Sequence, residues 1–138
     1  MFQKDFIMRM IEMMGELIAA LLGLIKKGNL QEAAEALENA YHDFLKEDAA
    51  FFYAIPKEKL TEKLLQEHHY TRGHLEILSE LFYAEAELLY AKDKKEESLV
   101  FYEKSLILKE FVLKESKTFS FEKQSRLEEI RGKIENLK

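Results

Sequence analysis

Three histidines that fall within seven consecutive positions could bind a metal ion. His68, His69 and His74 have two glutamates nearby, and imidazole with carboxylate suits zinc and other transition metals. Two ligands on one helical face need a spacing of three or four residues, whereas His69 and His74 are five positions apart. Gly73 also favours a turn or a loose helix start between them. We therefore predict no metal site and interpret these histidines as surface or capping residues.

Other residue pairs that could do chemistry are typical of helix surfaces. Glu128 and Glu129 could serve acid–base catalysis only in a pocket that separates their pKa values. Pairs spaced by four residues, such as Glu110 with Lys114, indicate solvated helix faces. The sequence has no Gly-rich phosphate loop, nucleophile elbow or HExxH motif, and its lack of Cys excludes thiolate chemistry. We therefore expect no catalytic residue and no cofactor.

Charge and length narrow the class of protein further. The 138 residues carry 21 basic and 26 acidic groups with interspersed signs, for a net charge of -5, which argues against a nucleic-acid partner. The apolar run Leu17–Ile25 is similar to a signal peptide, but Glu12 and Glu16 precede it and it is too short to span a bilayer. We therefore predict one domain over residues 1–138, a buried first helix, no membrane span and a cytoplasmic location.

Helical periodicity with only one Pro and five Gly predicts an all-α protein of six helices. The predicted helices are one capped by Asp5 and closed by Lys26, Lys27 and Gly28, one that starts at Asn29, one from Pro56 to about Glu67, one from about Thr71 to Ala91, one capped by Asp93 that runs through Leu113, and one capped by Ser120. The aromatic stretch before Pro56 stays ambiguous.

The chain contains an internal repeat with an offset of 65 positions. Residues 28–40 align with residues 93–105, and the positions that coincide are Ala33 with Ser98, Leu37 with Tyr102 and Ala40 with Ser105. This alternation of small and large residues resembles the tetratricopeptide repeat, a helix–turn–helix in which small side chains let paired helices approach. The resemblance covers about 14–47 and 79–112.

The repeat departs from the tetratricopeptide pattern in its middle. Pro56 would fall inside the first helix of a unit over 48–80 and would break it, so the helix 56–67 is predicted to be an insertion. Glu85 also replaces the apolar residue expected where Ala20 stands. The resemblance implies a right-handed antiparallel array, with hairpins at about 5–47 and 71–116 and a capping helix at 120–137.

The order of the segments resembles a family of small bacterial helical proteins to which no chemistry is assigned. The segments that carry this resemblance are Gln3–Glu12, the long apolar first helix, the aromatic stretch that ends in Ile55–Leu60, and the second hairpin. It supports the fold and implies no function.

In tetratricopeptide folds the first helix of each hairpin lines a concave binding surface, and the resemblance implies such a groove here. Its residues would be Ile18, Leu22 and Ile25 from the first hairpin and Glu80, Tyr83, Glu87 and Tyr90 from the second. The first set is apolar and the second is acidic and aromatic, so an open groove would suit a peptide with apolar anchors and a basic residue. Alternatively, the helix 56–67 or the last helix fills the groove.

All five methionines lie within residues 1–14. Met10 and Met14 fall on the apolar stripe of the first helix and are expected in the core. Met8 and Met13 lie further round, and if exposed they would form an apolar patch that needs a partner. This cluster favours a homodimer through the first helix.

Together these patterns predict a non-catalytic module that binds a partner protein or peptide. A structural homo-oligomer assembled through the first helix is the alternative hypothesis. A metal- or small-molecule-dependent enzyme is a third hypothesis, for which the sequence offers no recognisable set of catalytic residues.

Overall fold

The computed structural model describes the backbone of residues 2–115 and 120–138 and the side chains of residues 8–115 and 120–138. Every regular element within these ranges is a helix, which confirms the all-α prediction for the described residues. The seven helices are α1 (Phe2–Lys26), α2 (Leu30–Leu45), α3 (Ala49–Tyr53), α4 (Leu60–Glu62), α5 (Arg72–Ala91), α6 (Lys95–Glu115) and α7 (Phe121–Leu137). The helix that was not predicted is α3, which forms in the aromatic stretch before Pro56.

The predicted insertion helix is present, but its backbone is of mixed type. A 3₁₀ turn at Lys57–Lys59 leads into α4, and a π-helical turn at Lys63–Glu67 follows it. Pro56 starts the segment with φ at -63°, the angle that its ring imposes, and its missing N–H is not needed at that position. Leu60 and Leu64 are fully buried and anchor the segment in the core.

Three of the predicted helix starts are confirmed. The Thr71 hydroxyl accepts the backbone N–H of His74 (3.4 Å), while Nδ1 of His74 accepts the backbone N–H of Thr71 (3.0 Å), which forms a capping box at the start of α5. The Ser120 hydroxyl accepts the backbone N–H of Lys123 (3.3 Å) at the start of α7. Asn29 precedes α2 as predicted, although its side chain forms no capping hydrogen bond.

The two aspartate caps were predicted wrongly. Helix α1 begins at Phe2, so Asp5 lies inside the helix. Asp93 has a left-handed backbone with φ at 64°, and its N–H bonds to the carbonyl of Tyr90 (3.0 Å). Aspartate both caps helices and tolerates the left-handed region, and here Asp93 closes the end of α5 while α6 begins at Lys95.

Helix α5 lies at the centre of the fold. It packs against α1, α2 and α6, and twelve of its residues are buried. It runs antiparallel to α6, because Ser98 of α6 donates to the carbonyl of Ala86 and Ser105 donates to that of Ser79, both at 2.7 Å. The small and large repeat positions compared above are all buried in both hairpins.

The apolar run that is similar to a signal peptide forms the second half of α1. Ile18 and Leu21 are buried in the core, whereas Ala19 and Ala20 are exposed. Within the described ranges, no helix combines the length and apolarity needed to cross a bilayer. The run therefore belongs to a helix that buries one side of it against α2 and α5 and leaves the other side exposed.

Candidate functional site

Helix α7 packs on α6, and its side chains reach the face of α5 on which the sequence placed the groove. The contacts between the two helices are Glu76–Lys123 (3.2 Å), Glu80–Arg126 (3.0 Å), Tyr83–Glu129 and Glu87–Lys133. Because residue numbers rise together along both helices, α5 and α7 run in the same direction. Glu80 and Glu87, the acidic residues of the predicted groove, therefore have basic partners within the chain.

Tyr83 is the centre of a small apolar cluster beneath α7. Its side chain is 2% exposed, and the guanidinium carbon of Arg126 lies 4.1 Å from the centroid of its ring, which is a cation–π contact. The ring of Tyr102 lies 6.2 Å from that of Tyr83, centroid to centroid. Ile130 and Ile134 of α7 complete this satellite cluster, which is separate from the main core.

The two phenols of the satellite cluster act as hydrogen-bond donors. Tyr83 donates to Glu129, and Tyr102 donates to Glu87. Burial first, and then these hydrogen bonds, raise the pKa of both phenols well above the ordinary value of 10.0. Both hydroxyls are therefore protonated at neutral pH, where they hold carboxylates in place.

An open cleft of about 460 Å³ lies beside α7, between that helix and α1. Its apolar wall comes from α1 and consists of Ile11, Met14, Gly15, Ile18, Ala19 and Leu22. The side opposite α1 comes from α5, α6 and α7. It combines apolar residues (Ile77, Val112, Leu113 and Leu127) with the charged residues Glu76, Glu80, Lys109, Glu122, Lys123 and Arg126. A volume of this size is within the range of ligand-binding clefts.

Lys109 of α6 lies on the side of the cleft opposite α1. Its Nζ donates to Glu80 (2.8 Å) and to the hydroxyl of Ser79 (3.2 Å). Burial lowers the pKa of Lys109, while the carboxylate of Glu80 acts in the opposite direction. Since Glu80 binds both Lys109 and Arg126, the acidic character that the sequence predicted for this position is neutralised.

The predicted groove residues are divided between these two surfaces. Ile18, Leu22 and Glu80 line the open cleft, whereas α7 covers Tyr83 and binds Glu87. Ile25 is half-buried and packs on the main core, and Tyr90 is 51% exposed at the far end of α5. The sequence left open whether a helix fills the groove, and in the structure α7 fills the part around Tyr83.

Comparison of the chain with protein-family models, with curated proteins and with solved structures gives no significant match. The tetratricopeptide resemblance therefore rests on the repeat alone. The cleft and the α7 contacts supply the geometry on which a function can be proposed.

Glu85 is the centre of a buried hydrogen-bond network that the sequence did not predict. It is buried and accepts hydrogen bonds from the hydroxyls of Tyr41 (3.3 Å) and Tyr53, which link α2 and α3 to α5. Burial raises the pKa of Glu85, and the two hydrogen bonds oppose that shift. Lys104 of α6 joins the same region by donating to the carbonyl of Tyr53 (3.1 Å). The only signal in the sequence was a glutamate at a repeat position where an apolar residue is expected.

Two of the three histidines, His68 and His74, belong to an aromatic cluster between α4 and α5. Tyr70 lies between His68 and His74, with ring centroids 4.7 Å from each. His68 also pairs with Glu47 (3.1 Å), and His69 has a left-handed backbone. No three metal-binding side chains converge anywhere in residues 8–115 and 120–138.

His74 makes the stability of the fold depend on pH. Burial first, and then the charge of nearby His68, lower the pKa of His74 below its ordinary value of 6.5. The folded state therefore favours the neutral ring, and stability is lost as pH falls through 6.5. His74→Gln keeps a capping-box acceptor but does not titrate. Urea titrations of wild type and variant at about pH 5.5 and about pH 7.5 give the difference in free energy of unfolding, wild type minus variant. We expect this difference to be smaller at the lower pH. An equal difference at the two pH values would contradict the expected role of His74.

The methionines of α1 divide as the sequence predicts. Met10 and Met14 are buried in the main core, whereas Met8 is 53% and Met13 58% exposed. Five residues of an α-helix turn through about 140° beyond a full turn, so Met8 and Met13 leave α1 on different sides. They cannot form one continuous patch.

Proposed function

We propose that this chain is a non-catalytic, tetratricopeptide-like module for protein–protein interaction. Two observations support the architecture: α5 packs on both α1 and α2, and the aligned small residues of both hairpins are buried. Helix α7 would then cap the second hairpin, in accord with the requirement of short helical arrays for a terminal cap.

The observation that carries the binding proposal is the apolar wall of α1, which lines the open cleft and over which no helix of residues 8–115 and 120–138 is packed. From Ile11 to Leu22 the wall is about 16 Å long, which is three turns of a helix. Gly15 and Ala19 have small side chains, so the backbone of α1 is accessible between them. The space beside Gly15 is open, because a Cβ at that position would meet no atom within 4 Å. An amphipathic helix could therefore approach α1 closely, with apolar side chains on α1 and polar ones towards α7.

Ala19→Arg tests this proposal against a matched control, Ala20→Arg. Both alanines are exposed on α1, but only Ala19 lines the cleft. Each change should alter the free energy of unfolding by less than about 0.5 kcal/mol. In affinity purification from the native cell extract, with quantitative mass spectrometry, we expect a partner that wild type and Ala20→Arg retain and that Ala19→Arg loses by about tenfold. Equal recovery of every protein by the three forms would contradict the proposal.

Self-association through α1 is the second candidate, favoured by the exposure of Met8. On the helix, Met8 lies on the same side as Gly15, which is seven positions or about two turns further. The apolar wall of the cleft therefore continues to an exposed thioether, and a second copy could cover both. A monomeric mass by light scattering at high micromolar concentration would contradict this candidate.

A further inference from the structure

Helix α7 is attached differently from the other long helices. The main core is built from residues of α1 to α6 and contains no residue of α7. Helix α7 instead buries Leu127, Ile130 and Ile134, of which the two isoleucines belong to the satellite cluster with Tyr83 and Tyr102. Other elements therefore supply all buried residues of the main core, and only Leu22 and Phe101 pack against both clusters. We expect α7 to open before that core does.

Close packing of α7 on α6 and ion pairs to α5 supply the remaining attachment of α7. Lys123, Arg126 and Lys133 pair with the three acidic residues spaced along α5, Glu76, Glu80 and Glu87. All six side chains are partly exposed, and pairs of that kind contribute little free energy and are weakened by salt. These charges therefore select which helix sits on α5 more than they hold it there.

We propose that the face of α5 and α6 beneath α7 is a docking site for an amphipathic helix of a partner protein, which takes the place of α7. The contacts of α7 define the chemistry of that helix. It carries basic residues at positions i, i+3 and i+10, as do Lys123, Arg126 and Lys133, and apolar residues at i+4, i+7 and i+11, as do Leu127, Ile130 and Ile134. This site does not use the apolar wall of α1, although Lys123 and Arg126 of α7 also line the cleft beside that wall.

The binding test uses a fluorescent synthetic peptide of residues 120–138 and the full-length chain. Ile130→Asp places a charge at a fully buried position of α7 and should release the chain's own helix, which otherwise competes at a high effective concentration. By fluorescence anisotropy, the peptide should bind the Ile130→Asp chain at least about tenfold more tightly than wild type. Equal binding, or none to either chain, overturns the proposal.

A charge swap shows where the peptide binds. Glu87→Lys, added to the Ile130→Asp chain, should weaken binding of the wild-type peptide about tenfold, and a peptide with Lys133→Glu should recover it. Glu87 does not line the cleft beside α1, so this result separates the docking site from that cleft. No recovery by the swapped peptide counts against the proposal.

Hydrogen exchange on the wild-type chain tests the release of α7 without any variant. Interior amides of α7 should exchange through an opening that leaves the α5 amides protected, and raising salt from about 0.05 M to about 0.5 M should make that opening more frequent. If the α7 amides exchange only together with those of α5, the helix is not displaceable and the proposal fails. This readout stands even if Ile130→Asp does not fold.

Discussion

Replacing Phe82 with alanine should lower the free energy of unfolding by about 3 to 5 kcal/mol, the largest effect expected of any single change considered for this chain. Phe82 is fully buried near the middle of α5. Its ring contacts those of Tyr41 of α2 (centroids 6.4 Å apart) and Phe101 of α6 (5.4 Å). Truncation therefore opens a cavity where three helices meet, and close-packed neighbours relax only partly into such a space.

Urea unfolding followed by circular dichroism measures this loss, and Phe121→Ala is the matched control. Phe121 is 80% exposed at the start of α7, so its truncation should cost less than about 1 kcal/mol. Equal losses for the two variants would show that Phe82 does not occupy the packed junction described above.

Ser105→Leu should cost about 3 kcal/mol by forcing α5 and α6 apart. Ser105 is fully buried, and its hydroxyl donates to the carbonyl of Ser79 across the helix pair at 2.7 Å. Leucine adds three carbon atoms where the backbones approach and also removes the hydrogen bond. Ser105→Ala removes only the bond and should cost about 1 kcal/mol.

Thermal and urea unfolding of both Ser105 variants would check the order of these effects. The informative quantity is the excess loss in Ser105→Leu over Ser105→Ala, because it isolates the steric contribution. If leucine is tolerated as well as alanine, the small residues of the repeat do not set the distance between the paired helices.

Local signals in the sequence were sufficient to predict most of the helices. The helix start near Thr71 and the cap at Ser120 could be predicted because the hydrogen bond of a cap reaches only two or three residues along the chain. Asp93 was misassigned because its two local conformations, cap and left-handed turn, are both favourable for aspartate. The neighbouring helix ends, and not Asp93 itself, decide between them.

The candidate site was predictable only in its chemistry. Glu80, Tyr83 and Glu87 indicated a groove for a peptide with apolar anchors and a basic residue. Helix α7 occupies the part around Tyr83 and Glu87 with Ile130 and Lys133. Which helix does so depends on contacts between residues about 46 positions apart along the chain, and no local pattern encodes such a pairing. The cleft beside α1 follows from the same placement of α7 and could not be located earlier.

The tyrosines that join the helices also set an upper limit to the pH that the fold can withstand. Burial is the main cause that raises the pKa of five of the six tyrosines, which are Tyr41, Tyr53, Tyr70, Tyr83 and Tyr102. In the unfolded chain these phenols ionise near 10.0, so stability that is present below that pH is lost as pH rises above it. In the folded chain each of these phenols stays protonated and donates a hydrogen bond that ties one helix to another segment, so ionisation requires these bonds to break. Alkali therefore acts on all of these hydrogen bonds over one narrow range of pH above 10.0. In that range the chain should lose its tertiary structure in a single steep transition.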